Sequence, residues 1–388
     1  MTSPQIEGLP RRDWLKLVVG TAGGVLVLRD GTGCGYYSAE SGEAYAPWVF
    51  PGAETKPEMV AARAAILAAN PHNSQPWALH VTESGIDLHA DFTRSLGTID
   101  SLLREMHIGL GCALENMVIA AQVSGRAAAI QLLPDPSNPS LVASVSLSPA
   151  TPTVDPLFAA ISRRHTNRGR YADAPPSAAL APALHAMVTE PGVQLRILTS
   201  DDDKSTFRLR TIDATIAFIA DAEMSRDSNS WYRQTADDIL QHRDGITLDA
   251  SGNGAATRFF GKELGRPSDA TANSYWLDGT RGVQTTGSAF CILSSPAAND
   301  RDDQLRVGRV YQRIHLWAVS QGMAAQPLNQ MAELQDREES QGRSPTFATV
   351  LNGLVGAPDR RAQMLFRIGY PWDAALKSPR RPIDWVLL

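Results

Sequence analysis

Asn70-Pro71-His72-Asn73-Ser74-Gln75-Pro76-Trp77 is a polar, turn-rich stretch from which the organisation of the chain can be worked out. Residues 57–69 before it predict a helix, and Trp77 opens a predicted strand, so the stretch connects two regular elements. Its neighbouring amide side chains can hydrogen-bond both ends of a polar ligand. The alternative is a loop whose Asn and Ser residues satisfy their own backbone.

The elements on either side of this stretch mix helices and strands. In the first part, residues 84–89 suggest a hairpin, residues 102–123 a long helix and residues 141–147 a strand, and residues 149–156 read as a junction. Beyond the junction, helical patterns at 156–164, 178–187 and 305–321 accompany strand-like segments at 193–198, 287–294 and 364–370. We therefore predict an α+β fold.

Composition narrows the class of protein. The chain has 388 residues, 43% of them hydrophobic, and a net charge of -5, and length alone predicts roughly two domains of about 150 residues. Because no basic excess is available to neutralise a phosphate backbone, nucleic acid is not expected as a partner. Cys34, Cys112 and Cys291 lie far apart, which predicts neither a zinc site nor a disulfide framework.

The N-terminus resembles a twin-arginine export signal. Arg11 and Arg12 precede a short, weakly apolar, glycine-containing stretch at 17–28. This stretch is shorter than the roughly 18 to 20 apolar residues that span a bilayer. An ordinary N-terminal helix with an accidental arginine pair is the alternative, and Cys34 leaves lipidation open. Since this pathway carries folded proteins, we expect a cofactor protein on the outer side of the cytoplasmic membrane.

A second cluster places three guanidinium groups close together. Ile161-Ser162-Arg163-Arg164-His165-Thr166-Asn167-Arg168 ends a predicted helix, and such a set suits a phosphate or another anion. A solvated basic helix end is the alternative. A third cluster comprises residues 321–330, a helix end leading into a proline-containing loop, together with Arg380 and Arg381. None of the clusters contains an acid–base dyad, a Ser-His-Asp arrangement or a metal-ligand spacing. Any chemistry would therefore come from a bound cofactor, and we name no catalytic side chain.

In this order, the clusters resemble the nitroreductase superfamily across nearly the whole chain beyond the signal. In that family an Arg-x-Ser/Thr-x-Lys/Arg motif holds the phosphate and the N1/O2 edge of FMN, and Arg164, Thr166 and Arg168 match it. The family's Asn-x-Gln-Pro-Trp segment, which the partner subunit contributes, is matched by Asn73, Gln75, Pro76 and Trp77, and Asn70 stands where a serine is usual.

The resemblance extends to the end of the chain. A proline loop in the family presents a backbone N–H to flavin N5, and this loop corresponds to Pro327, Leu328, Asn329 and Gln330. The closing arginines Arg380 and Arg381 are expected to reach the phosphate.

The distribution of these matches implies one FMN site built from two fused, subunit-like halves. We divide the chain into a signal and linker at 1–46, halves at 47–150 and 151–388, and a lid or insertion at 221–284. The expected architecture is a nitroreductase-like pseudo-dimer with mixed β-sheets flanked by helices. The Acg-like branch is the most similar. Its first-half pattern is matched by Asp91, Arg94, Asp100, Arg104, Glu105, Gly109 and Gly111, which we interpret as salt-bridge and packing positions.

The resemblance implies an FMN-dependent oxidoreductase that acts on a small electron-poor substrate through flavin N5. One alternative is an FMN-binding or sequestering protein, closed by its lid and with little turnover. Another is flavin-consuming chemistry like that of the lower-ligand synthase. Nicotinamides are scarce outside the cytoplasm, so a quinol or a redox protein is considered as electron donor beside a nicotinamide. The twin-arginine translocase is the expected transport partner.

Overall fold

A computed structural model describes residues 15–19, 24–29, 33–38, 40–263, 266–296 and 299–388. Strands β1 (Leu15–Val19), β2 (Gly24–Arg29) and β3 (Gly33–Ser38) form a three-stranded antiparallel sheet. The described part of the apolar N-terminal stretch is therefore extended rather than helical. Arg11 and Arg12 lie outside the described residues, so the export signal stays a prediction from sequence.

The next elements build a first four-stranded sheet and the helices beside it. They are a 3-10 turn at Glu43–Trp48, α1 (Pro57–Ala65), β4 (Trp77–Thr82), β5 (Gly85–Ala90), α2 (Arg104–Val123), β6 (Arg126–Leu132) and β7 (Leu141–Pro149), with strand order β4-β5-β7-β6. Of these, β6 was not predicted. The carboxylate of Asp100 starts α2 by accepting the backbone N–H groups of Glu105 and Met106 at 2.9 and 2.8 Å. Although α2 is long and apolar enough to cross a membrane, it is almost wholly buried inside the protein.

The chain from residue 151 to residue 284 is mostly helical. It contains a 3-10 turn at Phe158–Arg163, α3 (Leu180–Ala186), β8 (Gln194–Leu198), α4 (Asp201–Ala220), α5 (Ala222–Ser230), β9 (Tyr232–Arg233), α6 (Ala236–His242), β10 (Ile246–Thr247), α7 (Ala255–Glu263) and α8 (Asp269–Gly279). The sequence did not predict α4, which Ser200 begins by accepting the N–H of Asp203 at 3.2 Å. The predicted lid segment at 221–284 contains four of these helices.

The remaining elements complete a second four-stranded sheet. They are β11 (Ala289–Pro296), α9 (Arg301–Ser320), β12 (Ala324–Pro327), α10 (Gln330–Ser340), α11 (Ala348–Val355) and β13 (Arg360–Gly369), and the strand order is β12-β13-β11-β8. The predicted α+β class is confirmed. Mixed sheets were expected, but the paired strands of both four-stranded sheets are antiparallel. A single parallel bridge joins Leu79 to Leu387 at the edge of the first sheet.

Helices α2 and α9 pack against each other between the two sheets. Gly111 and Gly308 make this crossing close: a Cβ on Gly111 would strike the carbonyl of Leu305, and one on Gly308 would strike the carbonyl of Ile108. The backbones of α2 and α9 are thus in direct contact where the two helices cross. Buried side chains from both helices belong to one continuous core cluster, so the two sheets share a core.

Candidate functional site

Ten residues from four separate parts of the chain surround a narrow polar cavity. They are Trp48; Ala69, Asn70 and Asn73; Arg164, His165, Thr166 and Arg168; and Ser378 and Arg380. The space wide enough for the centre of a water molecule is about 20 Å³, and a single water needs roughly 10–15 Å³ by this measure. By this measure the cavity has room for one or two water molecules, and a larger ligand would have to extend beyond it.

Arg164 enters the cavity from the turn at Phe158–Arg163, after which the backbone becomes extended. Its side chain is 2% exposed, and Nη2 donates to the carbonyl of Leu67 at 3.1 Å. Nε and Nη1 are also buried, but neither has a hydrogen-bond partner within the described ranges. Buried donors without acceptors are costly. The arrangement therefore provides two free donors for a ligand.

Arg380 approaches the same cavity from the C-terminal segment. Its Nη2 donates to the carbonyl of Ala68 at 3.1 Å, and its Nη1 donates to the Asn73 side chain. Nε is buried and has no partner among the residues that the structure describes. The guanidinium carbon lies 4.8 Å from the centre of the Trp48 ring. Arg380 is thus oriented by Ala68, Asn73 and Trp48 and keeps one donor free.

The electrostatics of the cavity favour a negatively charged ligand. Burial lowers the pKa of Arg164 to about 10. Burial, and after it the positive charge of Arg164, lower the pKa of Arg380 well below its ordinary value. The same two causes lower the pKa of His165. The lining set contains no carboxylate, so the guanidiniums that share this space are left without a countercharge. An anion bound between them would relieve the repulsion.

Thr166 and Arg168 extend the cavity towards the predicted lid segment. The Nη1 of Arg168 donates to the carbonyl of Ala250 at 3.0 Å, which fixes its guanidinium. Burial lowers the pKa of Arg168, while the neighbouring phenol of Tyr171 opposes that shift. Arg164, Thr166 and Arg168 were predicted as one motif, and the structure places all three on the lining of the same cavity.

The loop from Asn70 to Gln75 has a strained backbone. His72, Asn73 and Gln75 adopt φ values of 47, 55 and 53°, in a left-handed region that residues other than glycine rarely occupy. Side chains of the loop compensate for this strain. Asn70 accepts the N–H of Gln75 at 2.8 Å, and Asn73 donates to the carbonyls of Gly245 and Pro379 at 3.2 and 2.9 Å. The strain is thus held by contacts to the lid segment and the C-terminal segment.

Two predicted residues next to the cavity do not line it. Gln75 donates to the carbonyl of Arg243 at 2.8 Å and accepts the backbone N–H of Arg381 at 2.8 Å, so it ties the loop to its neighbours. The guanidinium of Arg381 donates to the carbonyls of Gln75 and Trp385. Arg380, by contrast, donates to Asn73 and Ala68. The structure therefore gives Arg380 and Arg381 different surroundings.

The predicted flavin N5 loop lies away from the cavity lining. Pro327 ends β12, and Leu328 is buried. Asn329 accepts the N–H of Leu365 at 2.8 Å, and Gln330 donates to Thr215 at 3.4 Å. These contacts fix the beginning of α10 against the second sheet and α4. The structure does not bring the loop into the cavity, and its contact with a flavin stays a prediction.

Five of the seven first-half positions interpreted as structural make packing or salt-bridge contacts, and Asp91 and Asp100 instead cap helical turns. Arg94 pairs with Asp244, and Arg104 pairs with Asp336 at 2.6 Å. Gly109 lies against Asn70 and Pro71, close enough that a Cβ would crowd them. Asp91 accepts the N–H of Thr93, Asp100 caps α2, and Glu105 lies 3.5 Å from Arg104. Gly111 is at the helix crossing described above.

Sequence reasoning missed several lining residues. Trp48 and Ser378 lie in segments without periodicity, and Ala69 is a small residue at the end of the predicted helix. The only sequence signal for Trp48 was a tryptophan in a proline-containing segment. Nothing in the sequence distinguished Ser378. His165 lies inside the second cluster but was not assigned to the site. Ala250, inside the predicted lid, contributes a carbonyl to Arg168.

The sequence is similar to curated mycobacterial proteins over most of its length. A "putative NAD(P)H nitroreductase" of Mycobacterium tuberculosis is 27% identical over 348 residues, which cover 87% of this chain and 92% of the relative. The "putative NAD(P)H nitroreductase acg" of the same organism is 26% identical over 339 residues, 84% of this chain and 93% of the relative. No protein-family model matches the chain.

Solved nitroreductase structures were also found. The FMN- and NADPH-dependent nitroreductase NfnB from sphigopyxis sp. strain HMH is 17% identical, with a TM-score of 0.37, covering 59% of this chain and 96% of that one. The FMN-dependent nitroreductase NfnB from Mycobacterium smegmatis, in complex with NADPH, is 15% identical, with a TM-score of 0.36, covering 59% and 97%. Among curated proteins, this chain is thus similar over 87% of its length to a protein named as a putative NAD(P)H nitroreductase.

Proposed function

We propose that the chain is an FMN-dependent oxidoreductase of the nitroreductase type, with the phosphate of FMN bound in the cavity between Arg164 and Arg380. The observation that carries the proposal is the pair of buried guanidiniums with free Nε atoms and no carboxylate in the lining. A phosphate monoester provides the oxygen acceptors and the negative charge that this pair lacks. The names of the curated relatives support the same reaction class.

The residues of the cavity have separate roles in this proposal. Arg164 donates from Nε and Nη1, Arg380 donates from Nε, and the Thr166 hydroxyl completes the phosphate site. Arg168, held by the Ala250 carbonyl, keeps a positive charge beside the bound group. Asn70 and Asn73 form the opposite wall from the first half of the chain. The bound FMN supplies two-electron chemistry, which no side chain of the cavity offers.

One FMN per chain follows from this distribution. Arg164, Thr166 and Arg168 come from the second half, and Asn70 and Asn73 come from the first, so one set of parts makes one site. The proposed pseudo-dimer is supported by the two four-stranded sheets and by the close crossing of α2 and α9 between them.

The substrate class is a small electron-poor organic molecule. A nicotinamide, a quinol or a redox protein supplies the electrons. Arg11 and Arg12 support export through the twin-arginine translocase.

An absorbance spectrum of the purified protein tests the proposal. Protein from an FMN-replete host should be yellow, should contain one FMN per chain, and should lose its flavin absorbance on reduction by NAD(P)H, a quinol or dithionite. An electron-poor quinone or nitroaromatic should then restore that absorbance. Colourless protein that takes up no FMN on reconstitution would contradict the proposal.

A second candidate function is FMN binding with little turnover. It is favoured by the way the lid segment engages the site: the carbonyls of Arg243, Gly245 and Ala250 accept from Gln75, Asn73 and Arg168. A segment tied down in this way would shield a bound ring from substrates. Bleaching by dithionite without turnover by any nicotinamide, quinol or quinone would support this function over the first.

A further inference from the structure

The N-terminal arm, defined here as Glu43–Trp48, is docked on the anion cavity. Ala44, Tyr45 and Trp48 are buried. The Ala44 carbonyl accepts the backbone N–H of Arg380 at 2.8 Å, and the indole Nε1 of Trp48 donates to the carbonyl of Ser378 at 2.8 Å. This arm, which spans the expected boundary between the linker and the first half, is therefore fixed to two residues that line the cavity.

The Trp48 ring is also in contact with two cationic or ionisable groups of the cavity. The guanidinium carbon of Arg380 lies 4.8 Å from the ring centre, and the His165 ring meets Trp48 edge-on at 4.4 Å between centres. A desolvated cation held over an indole face is attracted to it. Trp48 thus joins the arm to the C-terminal segment and to the Arg164–Arg168 segment at one point.

We propose that Trp48 is a positioning residue that holds Arg380 in its anion-binding orientation, so that arm docking and phosphate binding stabilise each other. Asn73 and Ala68 hold the two terminal nitrogens of Arg380, and the Trp48 ring contacts the guanidinium carbon. Nε is then the donor left for an anion. The identity of the anion as the FMN phosphate rests on the proposed function, whereas the positioning of Arg380 rests on these contacts.

The coupling has to act in both directions. If a docked arm raises the affinity for the anion, then the bound anion must favour the docked arm by the same factor. A cation–aromatic contact away from water is worth about 1–2 kcal/mol, which corresponds to roughly a 5- to 30-fold change in affinity. We therefore expect removal of the Trp48 ring to weaken phosphate binding by about this factor.

The test uses full-length protein stripped of flavin and three probes: FMN, riboflavin and inorganic phosphate. Trp48→Leu removes the aromatic ring, and Trp48→Phe keeps an aromatic face but removes the bond to Ser378. Val49→Ala is the matched control, since Val49 is the next residue along the chain and 68% exposed. Affinities are measured by flavin fluorescence and calorimetry, and thermal unfolding confirms that each variant is folded.

The expected result is a selective loss of phosphate-dependent binding. Trp48→Leu should lower the affinities for FMN and inorganic phosphate by similar factors. It should leave the affinity for riboflavin unchanged, because riboflavin carries no phosphate. Trp48→Phe should fall between Trp48→Leu and wild type, and Val49→Ala should match wild type. Equal losses for FMN and riboflavin would show a merely structural role and overturn the inference, and so would unchanged FMN and phosphate affinities. Where riboflavin binds too weakly to measure, the phosphate titration decides.

The outcomes separate this inference from the proposed function. If wild-type protein binds inorganic phosphate in a Trp48-dependent manner but does not bind FMN, the proposed function fails and the positioning role stands. If FMN binds and Trp48→Leu leaves its affinity unchanged, the positioning role fails alone. If wild-type protein binds neither probe, both fail.

Discussion

Arg164 and Arg380 donate to consecutive carbonyl oxygens of the same turn. The Nη2 of Arg164 bonds Leu67 at 3.1 Å, and the Nη2 of Arg380 bonds Ala68 at 3.1 Å. The turn after α1 therefore sets the spacing of two like charges that would otherwise repel each other. Their remaining donors face a cavity whose lining holds no carboxylate, which is the arrangement expected of an anion-binding site.

Replacing Arg164 by alanine should sharply reduce FMN occupancy. Each charge-assisted hydrogen bond to a phosphate is worth about 1.5–3 kcal/mol, so affinity should fall by roughly 10- to 150-fold. Arg163→Ala is the matched control, because Arg163 is the preceding residue, is exposed, and bonds only the Ala159 carbonyl among the contacts of the described chain. The flavin-to-protein absorbance ratio is the measurement. Full occupancy in Arg164→Ala would show that the phosphate lies elsewhere.

The same arginine should make the ligand-free protein less stable. Arg164→Met keeps a similar volume and removes a buried charge that has no countercharge in the cavity lining. Replacing buried ionic groups by apolar ones is often stabilising, and we expect a gain of about 1–3 kcal/mol in the free energy of unfolding without ligand. Urea denaturation of flavin-free protein measures this. A loss of stability instead would mean that the bond to Leu67 outweighs the cost of burying the charge.

The helix crossing predicts a large effect of one methyl group. Gly111→Ala places a Cβ against the Leu305 carbonyl, where backbone cannot move aside cheaply, and should cost about 3 kcal/mol or more. Gly353→Ala is the control, because a Cβ there meets nothing within 4 Å. It lies inside α11, so it should stabilise the protein by up to about 1 kcal/mol through helix propensity. Thermal unfolding of the two variants should therefore shift in opposite directions.

A buried carboxylate cluster predicts how stability depends on pH. Asp100, Glu105, Glu333 and Asp336 lie together with Arg104 and Arg361. Both guanidiniums pair with Asp336 at 2.6 Å. Burial and the neighbouring Glu105 raise the pKa of Glu333 well above its ordinary value, and burial raises the pKa of Asp100 to about 7. The folded state thus keeps protons that the unfolded state releases.

Stability should therefore fall as the pH rises. A carboxyl whose pKa is raised on folding stabilises the protein fully below its unfolded pKa, about 4.3 for Glu, and that contribution is lost as pH rises through the folded pKa. Glu333→Gln imitates the protonated form and removes this dependence. We expect the variant to gain stability relative to wild type between pH 5 and pH 8, measured by chemical denaturation. A constant difference across this range would contradict the raised pKa.

The resemblance to the nitroreductase superfamily predicted most of the cavity, because three separate clusters matched the family's motifs in the same order, whereas each cluster alone was weak. Arg164, Thr166, Arg168, Asn73 and Arg380 come from three separate segments of the chain, and the resemblance assigned each of them to the FMN site. Pattern alone could not separate Arg380 from Arg381. That distinction depends on tertiary contacts: Arg380 donates to Ala68 and Asn73, whereas Arg381 donates to Gln75 and Trp385.

Other features depended on tertiary contacts that leave no local pattern. The arm residue Trp48 is buried by partners from the second half of the chain, so its own neighbours in sequence gave no indication. Helix α4 was missed because polar residues interrupt its apolar spacing, although Ser200 and three acidic residues mark its start. The flavin role assigned to Pro327, Leu328, Asn329 and Gln330 came from the resemblance alone.

The cavity walls come from segments near the beginning, the middle and the end of the described chain. Contacts of such high sequence separation close large loops, and closing them is slow and entropically costly during folding. No fragment containing only one of these segments can present both Arg164 and Arg380 to an anion. Acquisition of the ligand would thus report that the whole molecule has folded, and bound flavin colour would serve as a measure of native protein in a preparation.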